Sequence, residues 1–345
     1  MRIWLVSLVC IRLLYITCYG QNPPEGTSSA LFQSNEEMPI TLVANWPVIW
    51  DDVETERAYH PGKLIYTEPN GQPDTLAVLL RTRGNFRRNK SNCSFPPIRV
   101  KMNDSAAVGT PFEGLNKIKL VTHCQKRAAA EQQVYLEYLC YRMYNVLTPE
   151  SYHARLLKVT YQDSANAADT LVKPGFFIEP TKEMGKRLGG AVMKNVRLNS
   201  GRLDQDQINL MAVYQYMIAN TDWSITVGHN VKLFARNDAN PPLAIPYDFD
   251  WSGIVGAPYA RPNPVLPIQS VRERLYRGSC QEEALFKATF SLFMEKKAEI
   301  LSIFDEVPME PKVRAKSMKF LEPFFKLIQD DKAYRKVFEA ECRRG

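Results

Sequence analysis

Residues 220–230 read NTDWSITVGHN and residues 245–253 read IPYDFDWSG. Between them lies VKLFAR (231–236), a short run rich in β-formers. Asp222 and Asp248 are 26 residues apart, and a tryptophan stands close behind each cluster, Trp223 and Trp251. Acids and an amide gathered on two loops beside one strand fit divalent-metal chemistry on a phosphate. Magnesium takes hard oxygen ligands, usually one or two carboxylates, with phosphate and water completing its shell. A strand ending in Asp248-Phe249-Asp250 presents two acids on one side, because alternate residues share a face. Asn230 supplies a neutral oxygen ligand, and Asp222 a base toward an incoming hydroxyl. Phosphoryl transfer is mostly positioning and charge neutralisation, so few groups suffice.

A loop aspartate taken alone is more often a turn former or a helix cap. Asp248 and Asp250 differ because they are wedged between apolar Ile245-Pro246-Tyr247 and Trp251, and a buried carboxylate needs a partner. His229 reads first as a loop hydrogen-bonder. Trp223 and Trp251 read as packing residues beneath the loops.

Working outward, Asp204 can cap a helix with Gln207 at the reciprocal position. Leu210, Val213, Tyr214, Met217 and Ile218 line one face of it, and it runs out at Asn220. LAIPY (243–247) is the next strand candidate. Two helical segments, 281–304 and 312–330, close the chain, and Pro323 is expected to bend or divide the second. Upstream the chain reads as strands: 39–46, 63–68, 75–84, 95–103 and 116–123 are short, rich in β-formers and separated by turn chemistry. A helix follows over about 127–147, then strands at 154–163 and 175–179. The fold class is therefore α+β. A signal peptide (1–20) and a flexible lead-in (21–38) precede a β-rich N-lobe with one long helix (39–180), and a mainly helical C-lobe (181–345) carries the acidic loops. A cleft between lobes is a common ligand site.

A nucleotide site also needs a cation on the phosphates, held by a helix carboxylate. In IRVKM, alternation sets Ile98, Val100 and Met102 on one face and Arg99 and Lys101 on the other. Lys101 is the candidate phosphate anchor, with Lys119 of KIKLV as substitute. The helix offers Glu131 and Glu137, six residues apart and so on different sides; Glu131, nearer the helix start, leads. RTRGNFRRNK (81–90) is a turn around Gly84 with five cations, Arg81, Arg83, Arg87, Arg88 and Lys90. Such a turn can offer backbone N–H groups and positive charge to phosphate, with Arg83 and Gly84 nearest the tip.

The chain has 345 residues, 45% hydrophobic and 23% charged, which permits real cores and argues against disorder. Its net charge of +7 suits phosphate ligands, anionic surfaces or nucleic acid, but no nucleic-acid motif accompanies it. MRIWLVSLVCIRLLYITCYG (1–20) carries Arg2, an apolar run and a small residue at its end, and reads as a secretory signal, although Arg12 interrupts the run. A lipid anchor at Cys18 is a second reading, against the bulky Tyr15-Ile16-Thr17 before it. Beyond the signal, five cysteines remain, so at least one is unpaired within the chain. Cys140 reads as a core residue, and Cys93 with Cys124 as a bridge.

Taken in order, RTRGN, PPIRVKM, EYLCYRMYNVLTP, ARLLKVTY, NTDW and PYDFDWSG resemble the CotH family of secreted, protein-kinase-like proteins, over about residues 76–256. The resemblance implies an atypical protein-kinase-like bilobal fold. It implies an ATP- and Mg2+- (or Mn2+-) dependent protein Ser/Thr kinase of the periplasm, cell envelope or secreted space, with a protein substrate. Asp222 matches the catalytic acid, Asp248 and Asp250 the metal-binding motif, and Asn230 the second metal ligand. Lys101 and Glu131 match the lysine–glutamate pair. Two departures stand out. Phe86 and basic residues follow the RGN turn, and the interval from Asp222 to Asn230 is longer than in ordinary kinases. Two other function classes compete: a catalytically silent binding module of the envelope, and a hydrolase using Asp222 and Asp250 as acid and base without nucleotide.

Overall fold

The computed structural model describes residues 26, 28–68, 71–238, 240–340 and 342–343. The proposed signal segment with Cys18 lies outside the described residues, as does the start of the lead-in. In chain order the elements are β1 (Met38–Ala44), α1 (Trp46–Asp51), β2 (His60–Thr67), β3 (Pro73–Thr82), β4 (Ile98–Met102), β5 (Lys117–Val121) and α2 (Ala128–Leu147). Then come β6 (Ala154–Asp163), β7 (Thr170–Ile178), α3 (Thr181–Arg187), β8 (Gly190–Val192) and α4 (Gln205–Met217). The last are β9 (Val231–Arg236), β10 (Leu243–Pro246), α5 (Glu283–Glu295), α6 (Lys297–Ser302), α7 (Pro311–Leu327) and α8 (Asp331–Tyr334).

Seven strands close into a barrel in the order β1-β2-β3-β4-β5-β7-β6. Strand alternation fills it. On β4, Ile98, Val100 and Met102 are buried while Arg99 and Lys101 stand on the outer face. Leu42, Leu64, Leu80, Leu120 and Val159 join them in one core. Closure comes from β1, which pairs antiparallel with β2 on one side and parallel with β6 on the other, from Met38↔Leu157 to Ala44↔Asp163. A barrel leaves no strand edge unpaired.

This overturns the bilobal, kinase-like expectation. The strands do not form one lobe stacked on a mainly helical second lobe; they make a closed mixed barrel with its own core, and helices pack outside it. The half expected to be mainly helical also holds a second sheet, β10-β9-β8. The α+β composition is compatible with the structure. The lead-in also differs from expectation, since Leu31 and Phe32 are buried in the barrel core.

The second core gathers α2, α4, α5 and α7 around the small sheet. Helix α4 starts at Asp204, whose side chain accepts from the Gln207 backbone N–H at 3.1 Å. The reciprocal bond of a capping box is not made. Gln207 instead donates to the Ala244 carbonyl (2.7 Å) and accepts from the Ala244 N–H (2.9 Å), clamping β10 to α4. Helix α7 runs through Pro323 without dividing. Cys93–Cys124 is a disulfide, as read from the sequence, and Cys280–Cys342 is a second one. Cys140 is free and buried in α2. Among the described residues no helix is long and apolar enough to cross a membrane.

Candidate functional site

The two acidic loops fold against each other because two backbone reversals demand it. After α4 the chain makes a tight loop in which Ser224 and His229 exchange backbone hydrogen bonds, each 2.9 Å. Asn230 leaves that loop at φ 52°, and Asp248 leaves β10 at φ 65°. Asn and Asp tolerate this left-handed conformation better than other side-chain-bearing residues. Such strain persists where surrounding structure fixes it, and it concentrates at functional sites. Here the Tyr247 N–H donates to the Asn230 carbonyl (3.0 Å), coupling the two reversals, and the Asp248 N–H donates to the Tyr141 hydroxyl of α2 (2.9 Å).

Asp222 is held on three sides. Its N–H donates to Asn220 Oδ1 at 3.0 Å. Its Oδ1 lies 2.9 Å from His229 Nε2, and its Oδ2 accepts from Asn230 Nδ2 at 2.9 Å. Asn230 Nδ2 also donates to the Asp222 carbonyl at 2.8 Å, so the amide orientation is fixed and its Oδ1 is left for another ligand. Beneath, Trp223 is buried and donates its indole N–H to the Asn220 carbonyl at 3.1 Å, the packing role read from the sequence. Arg277, which the sequence did not single out, lies over Trp223 and donates to the carbonyls of Thr221 and Trp223.

Asp222, His229, Asn230, Asp248 and Asp250 line one cavity of about 460 Å3. The basic turn between β3 and β4 also lines it, contributing Arg83, Gly84, Asn85, Phe86 and Arg87. Gly84 sits at φ 82°, which a side chain would disfavour. The Cys93–Cys124 disulfide ties the base of this turn to the chain just after β5. Phe86 packs edge-on to Trp251 (centroids 5.4 Å apart) and against Tyr259, so the turn touches the DFDW loop directly. Trp251 is therefore both packing residue and cavity wall.

Two of the expected residues lie away from this cavity. Lys101 does not line the cavity; it lies over the Tyr59 ring at 5.6 Å. Lys119, the substitute, does not line it either, but it feels the charges of Arg83 and Asp248. Burial and then Arg83 push the Lys119 pKa down to about 8. Glu131 pairs with Lys173 at 2.5 Å, away from the cavity. Glu137 lines it, one of the most buried acids in the chain at 3% exposure. Glu137 faces Arg87 at 3.7 Å, not a lysine.

Burial raises Glu137 well above the usual carboxylate range, with Asp250 adding to the rise and Arg87 opposing it. Burial likewise lifts Asp250 to about 7, helped by Asp248 and opposed by Arg87 and by the Tyr259 hydroxyl, which donates to its Oδ2 at 2.9 Å. Arg87 is thus the counter-charge for two buried acids. Its own pKa is pulled down by burial but raised on balance by Tyr259, Glu137 and Asp250. Removing one partner of a buried ionic cluster strands the others, at about 3–5 kcal/mol. Arg87→Ala is therefore expected to destabilise the protein by roughly that amount, measured by chemical denaturation at pH 7. A loss within experimental error would mean Glu137 and Asp250 are neutralised in another way.

Among the described residues no three of His, Cys, Asp and Glu cluster tightly enough to hold an ion alone. The cavity lining holds four carboxylates, Glu137, Asp222, Asp248 and Asp250, and the Asn230 amide; Asp248 and Asp250 with the amide oxygen would fit magnesium completed by phosphate and water. No model of a known protein family matches the chain, and no curated protein matches it either.

Proposed function

We propose that this chain is a metal-dependent phosphotransferase that moves the γ-phosphoryl group of ATP to a Ser or Thr hydroxyl of a protein. The observation that carries the reading is one cavity lined by both the acidic loops and the basic turn. Asp222, Asn230, Asp248 and Asp250 line it together with Arg83, Arg87 and the Gly84 turn. The likeness to the CotH family supports it and adds export to the cell envelope as part of the proposal.

In this reading Asp248, Asp250 and Asn230 Oδ1 would hold Mg2+ or Mn2+, which would supply charge neutralisation to the phosphates. Arg83 faces the cavity with no acid in ion-pair range among the described residues, so its guanidinium is open to a phosphate. Lys119 adds a second positive charge beside Asp248. Asp222, oriented by His229 and Asn230, accepts the proton of the attacking hydroxyl. Asp222 is the catalytic residue, and Arg277 and Trp223 position its loop.

The test is incubation of the full chain with γ-labelled ATP and a mixed-sequence protein acceptor, with Mg2+ or Mn2+ and with chelator. Metal-dependent label on serine or threonine is the expected result. No label, together with no metal-dependent ATP binding by calorimetry, overturns the proposal in favour of a silent binding module.

A further inference from the structure

The outer face of β3, β4 and β5 carries a row of like charges. Arg81 pairs in register with Arg99, and Arg99 with Lys119. The next row on the same face places Lys101 opposite Lys117. Adjacent strands lie about 4.8 Å apart, so the first row spans about 10 Å, and the rows are separated by about 6.7 Å. Like charges directly opposite on a sheet destabilise it. A fold normally answers such a row with carboxylates, yet among the described residues none of these five cations is in an ion pair. No ion pair closes the row, and Asp248 acts only on its Lys119 end, so the rest of the face can take an anion from outside the chain.

The face leads into the cavity. Arg83 lies just past the end of β3, two residues after Arg81, with its N–H still paired to the Pro97 carbonyl at 2.8 Å, and it lines the cavity. Lys119 sits at the inner end of the row, near Arg83 and Asp248. A ligand stretched along the row therefore has its end beside Asp248. The two aromatic rings flanking the row already carry cations. Arg81 and Lys101 lie over Tyr59 (4.5 and 5.6 Å), and Lys119 and Lys232 over Tyr247 (5.3 and 5.0 Å). A nucleobase wants an apolar or aromatic slot with a few polar groups, whereas this face offers a grid of positive charge.

We infer that the outer face of β3–β5 is a track for a linear inorganic polyphosphate, which delivers its terminal phosphoryl group into the cavity as donor. The binding half stands on the charge row alone; the donor half rests on the phosphotransferase reading. In the transfer, the acceptor hydroxyl oxygen bonds to the terminal phosphorus and its proton passes to Asp222. The bond from that phosphorus to the bridging oxygen breaks, and the polyphosphate leaves one phosphate shorter, keeping the bridging oxygen and its negative charge.

The experiment compares the full-length protein with the triple variant Arg99→Gln, Lys101→Gln, Lys117→Gln. A control triple variant, Lys312→Gln, Lys316→Gln, Lys319→Gln, removes the same charge from α7. Calorimetry with tripolyphosphate and with a longer polyphosphate, at fixed physiological salt, is expected to show affinity reduced on the order of tenfold or more in the first variant, with the control near wild type. Equal loss in both variants, or binding no tighter than that of sulfate, overturns the track. Terminally labelled tripolyphosphate is then offered as donor beside γ-labelled ATP. Label from both supports the donor assignment. Label from ATP alone overturns it and leaves the phosphotransferase reading standing. Track-dependent binding with label from neither donor sinks that reading and retains the polyphosphate site.

Discussion

Asp222→Asn is expected to lower phosphoryl transfer by about 10²- to 10⁴-fold, the range for loss of a general base. The melting temperature should stay close to that of the parent. Asparagine keeps the side-chain shape, and its Oδ1 can still accept from Asn230 Nδ2, the bond now made at 2.9 Å. What it loses is the capacity to take a proton. The bond between Asp222 Oδ1 and His229 Nε2 sits at the half-exposed mouth of the cavity, where it contributes little to stability. Single-turnover transfer from labelled ATP, read beside a melting curve, separates the two effects. A variant that keeps most of the parent rate would remove Asp222 from the chemistry and leave it as a loop brace.

The local content of this site was legible, because its parts lie close together in sequence. Asp222, Asn230, Asp248 and Asp250 come from two loops joined by one hairpin of strands, and β9 and β10 do pair, Leu243↔Phe234 through Pro246↔Val231. Legibility fails where a residue's place depends on a distant partner. On α2, periodicity cannot choose between Glu131 and Glu137, since the helix is buried nearly all round from Val134 to Tyr141. Which acid meets the cavity is fixed by the DFDW loop, more than a hundred residues later. For Lys101 the alternation was right, as it does lie on the outer face of β4. Alternation does not say which end of that face meets the acids; the fold sets Lys119, the register partner of Arg99, within electrostatic reach of Asp248. Barrel closure is the extreme case. The parallel β1–β6 pair joins segments more than a hundred residues apart, and nothing in MPITLVA announces its partner.

Asp250→Asn should make the protein inactive in transfer and at the same time more stable without metal. The sign follows from the pKa. Burial lifts the folded-state value to about 7, whereas an unfolded carboxylate titrates near 3.9. Between those values the folded chain holds a proton that the unfolded chain has released. Stability of the metal-free parent therefore falls as pH rises through that window, and the penalty is complete above about 7. Asparagine has no such proton, and its Oδ1 can still accept from the Tyr259 hydroxyl. The variant should match the parent near pH 4 and exceed it at pH 8 by on the order of 2 kcal/mol. Guanidinium denaturation at pH 5 and pH 8, in chelator, measures it. Added Mg2+ should then stabilise the parent and leave the variant unmoved, since the ligand oxygen is gone. A carboxylate retained only for structure predicts the opposite pattern: the variant would be weaker at every pH, and metal would affect both proteins equally. Greater stability coupled to lost transfer is the signature of a charge held against the fold for the sake of the reaction.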